Sequence, residues 1–276
     1  MNPIIIAVAV VGIMGLLFGA LLSVAANIFH VEVDEKVVLV RAELPGANCG
    51  ACGFPGCDGL ATAIALKDGP VNGCPVGGQP VAEKIATIMG KAAGDSVKQV
   101  ACVMCNGTPD NAKEKHAFSG MSDCRSNAAF QGGSKACSYG CLGGGTCVSV
   151  CPFDAIHIVN GVAVVDKDKC TACQKCISVC PRNVISLVPY DQEVVVKCNS
   201  TDDGKTVRAN CSVGCIGCGL CVRNSEEGAF VVENKLAHAV EGKDYGEAVN
   251  KCPTKAIHYT SDKPVVEAKV EEDQAV

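Results

Sequence analysis

The residues of this chain that could do chemistry are its cysteines, which number 21 among 276 residues. The densest run is Cys170, Cys173, Cys176 and Cys180, with two, two and three residues between successive members and Pro181 directly after the last. So high a cysteine content indicates that something besides side-chain packing holds the chain together. The candidates are disulfides, zinc ions and iron–sulfur clusters.

The spacing of this run is typical of bacterial two-cluster ferredoxins, in which the fourth cysteine binds the other cluster. Three thiolates in a tight loop can cap one face of a cluster, and the fourth arrives from elsewhere in the chain. By that rule Cys170, Cys173 and Cys176 share a [4Fe–4S] cluster with Cys151, the cysteine of an earlier Cys-Pro pair.

The partner cluster lacks one regular ligand. We expect Cys180 to join Cys141 and Cys147, but Gly144 stands where the middle cysteine of that run should be. Either Cys137 folds back as the missing ligand, which is the interpretation we favour, or the site holds a [3Fe–4S] cluster.

A later segment repeats this pattern in altered form. Cys215, Cys218 and Cys221 have the regular spacing, and Cys252, which precedes a proline, supplies a fourth thiolate. The ligands of a partner cluster are missing, because other residue types stand at their positions: Ser225, Gly242, Tyr245 and Ala248. We therefore predict one cluster in this segment.

An earlier group, Cys49, Cys52, Cys57 and Cys74, is a complete ligand set by itself. The glycines between its members would let the backbone wrap closely around a cluster. This group predicts a further [4Fe–4S] site ahead of the ferredoxin-like runs.

Cys102, Cys105 and Cys124 form an incomplete group. A fourth ligand would have to come from one of three other cysteines: Cys137, Cys198 or Cys211. If neither Cys198 nor Cys211 completes this group, both cysteines are left without a cluster. Since 21 thiolates support at most five sets of four, we expect four [4Fe–4S] clusters, and a fifth if this group is completed.

Zinc and disulfides are the alternatives to clusters. Zinc sites usually pair two CxxC motifs, so zinc suits the groups at 49–74 and 102–124 better than the run at 137–180. Disulfides are disfavoured because the number of cysteines is odd and a membrane anchor with its soluble part in the cytoplasm implies a reducing compartment. The net charge of −5 argues against a nucleic-acid partner bound by bulk electrostatics.

Hydrophobic patterning predicts the helices and strands around these cysteines. No charged residue occurs in 4–29, which is long enough to span a membrane once. A cleaved signal peptide is the alternative, although no basic residue precedes the apolar stretch. Lys36 and Arg41, the nearest basic residues, place the following domain on the cytoplasmic side.

The remainder predicts an α+β fold. We expect helices over Asp58–Lys67 and Val81–Ala93, a strand or linker at Val37–Val40, and a hairpin over Ile156–Val165 that turns at an Asn-Gly pair. A repeat is also visible, because Cys105-Asn-Gly-Thr matches Cys198-Asn-Ser-Thr and the segment from Cys137 to Asp166 matches that from Cys211 to Glu241.

These patterns divide the chain into six parts. The predicted parts are a transmembrane anchor (1–30), a four-cysteine domain (31–95), a cysteine-bearing linker segment (96–135), a two-cluster ferredoxin-like βαβ module (136–190), a degenerate one-cluster ferredoxin-like module (191–260) and a disordered tail (261–276).

The order of these parts resembles a known family. The apolar N-terminus, the motif Asn48-Cys-Gly-Ala-Cys-Gly-Phe-Pro-Gly-Cys57 and the run from Cys137 to Cys180 are similar to the B subunits of Rnf complexes. Those complexes are membrane-bound ferredoxin:NAD oxidoreductases that couple electron flow to cation transport. The module Cys198–Cys252 resembles the extended form of anaerobes such as clostridia. Corrinoid iron–sulfur proteins carry a similar first domain, but the chain has no cobamide domain.

The resemblance implies an electron-transfer subunit with no catalytic residue of its own. Such a subunit accepts electrons from reduced ferredoxin and relays them through [4Fe–4S] clusters to membrane subunits and NAD- or flavin-binding subunits. It is anchored once in the cell (inner) membrane with its soluble domain in the cytoplasm. The alternatives are a carrier subunit of a membrane hydrogenase or another oxidoreductase, and a structural zinc-binding adaptor.

Overall fold

The computed structural model describes residues 3–28, 34–94, 97–120 and 123–260. The helices are α1 (Pro3–Ile28), α2 (Glu35–Glu43), α3 (Gly56–Leu66), α4 (Gly78–Met89), α5 (Cys124–Ala129), α6 (Thr146–Ser149), α7 (Lys175–Val179), α8 (Gly204–Asn210), α9 (Leu220–Arg223) and α10 (Ala248–Lys251). The strands are β1 (Gln99–Val103), β2 (Ile156–Val159), β3 (Val162–Val165), β4 (Ile185–Pro189), β5 (Val194–Val196), β6 (Phe230–Glu233), β7 (Leu236–Ala239) and β8 (Ile257–Tyr259). The mixture of helix and strand agrees with the predicted class. The tail from 261 lies outside the described residues.

Helix α1 is the apolar segment that the sequence predicts. Over Pro3–Ala25 its mean hydropathy is 2.8, and none of this stretch is buried within the chain. A helix of this length and composition can cross a membrane, and it is the one candidate span in the described part of the chain. A signal sequence near the N-terminus would have the same properties.

Helices α2, α3 and α4 pack together around the first cysteine group. In α3 the residues Cys57, Leu60, Ala61 and Ile64 are buried, which is the spacing of one helix face. Val40 of α2 is fully buried in the same core. The prediction of a strand or linker at Val37–Val40 was therefore wrong, because these residues lie in α2 and bury one side against α3 and α4.

Two hairpins confirm the repeat that the sequence predicts. Strands β2 and β3 pair around Asn160 and Gly161, which both have positive φ, as a tight turn of this kind requires. Strands β6 and β7 pair in the same way around Asn234 and Lys235.

Each repeat contains one further pair of strands. Strand β1 pairs antiparallel with β4, and β5 pairs antiparallel with β8. The described sheets are thus four two-stranded ribbons, two in each repeat. Strand β1 lies in the segment 96–135, which we expected to be a linker, and it pairs with β4 of the predicted two-cluster module.

Candidate metal centres

Three cysteine loops share one backbone conformation. Between Cys170 and Cys176, the residues Ala172 and Gln174 both have positive φ. The same two loop positions hold glycines with positive φ in the other two loops: Gly143 and Gly145, and Gly217 and Gly219. A short helix follows each loop and carries its last cysteine, in α6, α7 and α9. Left-handed alanine and glutamine cost free energy, so the loop shape is imposed by something beyond local preference.

The first cysteine set lies at one edge of the three-helix domain. Burial raises the pKa of Cys74, and the neighbouring thiols of Cys57 and Cys49 raise it further. The side-chain oxygen of Asn48 accepts a 2.8 Å hydrogen bond from the backbone N–H of Cys57, which holds that cysteine in the first turn of α3. Cys52 packs against the same core. The structure thus brings the predicted set together.

The second set joins the regular run to Cys151. Burial raises the pKa of Cys173, and Cys151 and Cys170 are among the thiols that raise it further. Burial and the thiols of Cys170 and Cys173 raise the pKa of Cys176 to about 11. The backbone N–H of Ala101 donates a 3.3 Å hydrogen bond to Cys170 Sγ, so β1 contributes a donor to this site.

The third set is completed by a cysteine that we did not expect there. Burial raises the pKa of Cys147 to about 12, and the thiols that add to this include Cys141, Cys124 and Cys180. A Cβ built on Gly144 would lie 3.2 Å from Cys124 Sγ. The space left by the missing middle cysteine is therefore taken by Cys124, and not by Cys137 as the sequence led us to expect.

The fourth set lies in the second repeat. Cys215, Cys218, Cys221 and Cys252 line one cavity, as predicted from their spacing. Burial raises the pKa of Cys221, and Cys215 and Cys218 raise it further. The backbone N–H of Ala256 donates a 3.4 Å hydrogen bond to Cys252 Sγ.

A second cavity is lined by Cys105, Cys137, Cys198 and Cys211. Two of these, Cys198 and Cys211, were left spare by the sequence. The signal was present, because the repeat aligns Cys105 with Cys198 and Cys137 with Cys211. Spacing within a run could not find this set, since its members come from four separate segments.

Cys102 stands apart from the cysteine sets. It is buried in β1, where burial raises the pKa of its thiol and the neighbouring Lys197 ammonium lowers it. The expected group of Cys102, Cys105 and Cys124 is therefore not assembled, because Cys105 lines the cavity and Cys124 lies beside Gly144.

A single metal ion and a cluster need different arrangements of the cysteine sulfurs. Among the residues described, no three Cys, His, Asp or Glu side chains stand close enough together to share one metal ion. A zinc ion needs its sulfur ligands about 2.3 Å away, whereas a cluster is larger and holds its thiolates further apart. Because burial raises the pKa of several of these thiols, loading any metal must release protons.

Comparisons with known proteins agree with this chemistry. Residues 44–76 match the family described as "Putative Fe-S cluster", and residues 135–181 match "4Fe-4S dicluster domain". The first range contains all four cysteines of the first set. The second range contains the run from Cys170 to Cys180 and the cysteines from Cys137 to Cys151. Iron–sulfur binding is thus supported for these two parts of the chain.

Three curated relatives, each the B subunit of its complex, cover most of the chain. It is 48% identical over 93% of its length to that of the Na⁺-translocating ferredoxin:NAD⁺ oxidoreductase complex of Acetobacterium woodii, covering 78% of that protein. It is 39% identical over 93% of its length to that of the ion-translocating oxidoreductase complex of Methanosarcina acetivorans, covering 98% of that protein. It is 43% identical over 93% of its length to that of the proton-translocating ferredoxin:NAD⁺ oxidoreductase complex of Clostridium ljungdahlii, again covering 93%. The chain therefore belongs to the family of B subunits of the ion-translocating oxidoreductase (Rnf) complexes, whose iron–sulfur domains fit a role in electron transfer.

Proposed function

We propose that this chain accepts electrons from reduced ferredoxin and passes them to partner subunits of a membrane-bound, ion-translocating ferredoxin:NAD oxidoreductase. The observation that carries the proposal is the succession of four-cysteine sets along one chain, two parts of which match iron–sulfur families. A succession of redox centres suits transfer over a distance, whereas a single centre would suit local chemistry.

Four sets of cysteines are assigned as ligands of [4Fe–4S] clusters. The assigned sets are Cys49, Cys52, Cys57 and Cys74; Cys151, Cys170, Cys173 and Cys176; Cys124, Cys141, Cys147 and Cys180; and Cys215, Cys218, Cys221 and Cys252. When bound, a cluster of this kind takes up and releases one electron at a potential set by its surroundings. Because the third set has four thiols, it holds a [4Fe–4S] cluster in preference to a three-iron one.

The protein contributes burial and hydrogen bonds at these sites. Cys147 and Cys176 are buried, which excludes water from the sulfurs. Backbone N–H groups donate to Cys170, Cys141 and Cys252 at 3.3–3.4 Å. Donors to cluster sulfurs and exclusion of solvent are the means by which a protein sets a reduction potential.

Thiols of different sets influence one another's pKa. Besides its own set, the pKa of Cys173 is raised by Cys49 of the first set, after the larger effect of burial. The pKa of Cys147 in the third set is likewise raised by burial and then, among other thiols, by Cys176 of the second. These neighbouring thiols support an order in which the second set lies between the first and the third.

We also propose that the chain contains two ferredoxin-like βαβ modules, with the limits given below. They are supported by the shared loop shape, by the short helix after each loop and by the two ribbons in each repeat. Strand β1 extends the first module upstream, so we place its start near Gln99 and that of the second near Val194.

Helix α1 supplies the membrane anchor of this proposal. Lys36 and Arg41 follow it and favour a cytoplasmic position for the cysteine-bearing part, where reduced ferredoxin would dock. The sequence shows neither a nucleotide-binding loop nor an acid–base pair. We therefore assign NAD reduction and ion transport to other subunits of the complex, namely membrane subunits and subunits that bind NAD or flavin.

The test uses the full chain, purified in detergent without oxygen and supplied with reduced ferredoxin and NAD. We expect ferredoxin to be reoxidised and the visible absorbance of the chain to bleach, with no NADH formed. The matched control is the same chain stripped of iron, which should leave ferredoxin reduced. The proposal would be contradicted if the chain alone formed NADH, or if reduced ferredoxin failed to reduce the chain.

A further inference from the structure

One four-cysteine cavity is left over after the four sets are assigned. It is lined by Cys105, Cys137, Cys198 and Cys211, and of these residues the two matched families include Cys137 alone. We propose that these four cysteines bind a fifth [4Fe–4S] cluster, which connects the two repeats. With it, 20 of the 21 cysteines fall into five sets of four, and Cys102 remains as a structural thiol.

The four cysteines come from equivalent positions of the two repeats. Cys105 and Cys198 both open a Cys-Asn-x-Thr segment, and Cys137 and Cys211 both open a Cys-Ser-x-Gly-Cys segment. Each repeat therefore contributes one cysteine of each kind. A set with this symmetry is expected when two copies of one unit close around a shared ligand.

Backbone donors in the cavity follow the same symmetry. The N–H of Cys141 donates a 3.4 Å hydrogen bond to Cys105 Sγ. The N–H of Cys215 donates a hydrogen bond to Cys198 Sγ. Both repeats thus aim the equivalent amide at the equivalent sulfur, which is how thiolate ligands of clusters are stabilised.

Glycines leave part of the cavity wall without side chains. A Cβ on Gly140 would lie 3.6 Å from both Cys105 Sγ and Cys137 Sγ. A Cβ on Gly107 would lie 3.1 Å from Ala112 Cβ and 3.5 Å from Cys105 Sγ, whereas one on Gly214 would collide with Val207 Cγ1. A side chain at Gly140 or Gly107 would therefore contact Cys105 Sγ, and glycine at both positions keeps that side of the cavity open.

A buried lysine in the wall indicates that the occupant is negatively charged. Lys135 is only 3% exposed, and its Nζ donates to the carbonyl oxygens of Gly107 at 2.6 Å and Gly161 at 3.3 Å. Within the described residues it has no ion pair with a carboxylate. A buried ammonium is costly without an opposite charge, and four thiolates around a cluster supply that charge.

The position of the cavity gives the fifth cluster its role. Cys105 contacts the backbone of Cys141, a ligand of the third set, and Cys198 lies beside Cys215 of the fourth set. A cluster here joins the third set to the fourth and makes one unbroken row from Cys49 to Cys252. Loading it forms four iron–thiolate bonds and releases the four thiol protons to solvent.

The cluster itself is independent of the proposed function, and only its role in the row rests on that function. The test is iron, zinc and acid-labile sulfide per polypeptide in the full chain, purified in detergent without oxygen and reconstituted. We expect about 20 irons with equal sulfide. About 16 irons would overturn the fifth cluster and leave the other four standing, whereas a chain with almost no iron would also remove the proposed function.

Variants locate the cluster. The double substitution Cys198→Ala with Cys211→Ala is expected to lose about four irons, and the matched control Cys102→Ala is expected to lose none. Loss of iron from the control alone, or wild-type iron in the double variant, would overturn the assignment. The count in the unaltered chain decides the question even where the double variant does not fold, and one zinc with about 16 irons would also contradict the proposal.

Discussion

Cys124 occupies the space beside Gly144: a Cβ built on Gly144 would lie 2.8 Å from the backbone N of Cys124 and 3.2 Å from its Sγ. Cys124 is fixed there by Thr146, whose Oγ1 accepts a 2.8 Å hydrogen bond from the Cys124 N–H and donates a 2.6 Å hydrogen bond to Asp123 Oδ1. Gly144 thus leaves the space that Cys124 fills, and the upstream thiol of Cys124 replaces the cysteine that is missing from the run.

Replacing Cys124 tests this arrangement directly. Cys124→Ala is expected to remove one ligand of the third set and leave either a three-iron cluster or none, so the chain loses about one to four irons. Iron analysis and the EPR signal of an oxidised three-iron cluster distinguish these two outcomes. Cys137→Ala provides the comparison, because it should affect the cavity and leave the third set intact. A Cys124→Ala chain with full iron content would contradict the assignment.

Gly144→Ala tests the steric half of the same arrangement. The added methyl group would stand 2.8 Å from a backbone nitrogen, which a flexible side chain could avoid but the backbone of α5 cannot. We expect Cys124 to be displaced and the third cluster to be incompletely loaded, with a fall of up to about four irons. Gly94→Ala is the matched control, since its Cβ would meet only the side-chain amide of Asn72 at 3.5 Å. Equal iron in both variants would show that Cys124 does not need this space.

Local patterning was enough to predict part of the fold and of the site. Helices α3 and α4, the hairpin at Asn160 and Gly161, and the grouping of Cys215 with Cys252 all follow from periodicity, turn chemistry or spacing within a short segment. The placement of Cys124 and the cavity at Cys198 could not be predicted in that way. Cys124 is placed by contacts with Gly144 and Thr146 in another segment of the same repeat, and the cavity draws its cysteines from four separate segments of the two repeats.

Helix α1 is expected to hold the chain in the membrane without contributing to its metal sites. Leu16 and Leu17 are 77% and 65% exposed in the chain, so they would face lipid or partner helices. Replacing both with lysine should cost about 2.5–3.5 kcal/mol for each charge near the bilayer centre and move much of the protein into the soluble fraction.

Leu66→Lys is the control for that experiment, because Leu66 is 57% exposed in α3 and lies outside the apolar segment. This variant should stay with the membranes. Iron per polypeptide should be unchanged in both, since α1 contains no cysteine. A double variant that remains fully membrane-bound would show that other parts of the chain, or its partners, provide the attachment.

Lys135 is expected to raise the reduction potentials of the two clusters beside it. Burial raises the pKa values of Cys141 and Cys211, and the Lys135 ammonium acts on both in the opposite direction, so its charge reaches the third set and the cavity together. A positive charge stabilises the reduced, more negative form of a cluster. Lys135→Met should therefore lower both potentials, by roughly tens of millivolts. The measurement is an EPR-monitored redox titration of the full chain.

Lys135→Arg should preserve the potentials, and Lys113→Met, at an exposed position, should leave them unchanged. Potentials in Lys135→Met equal to those of the unaltered chain would show that the ammonium is there to bind the carbonyl oxygens of Gly107 and Gly161, with no effect on electron transfer.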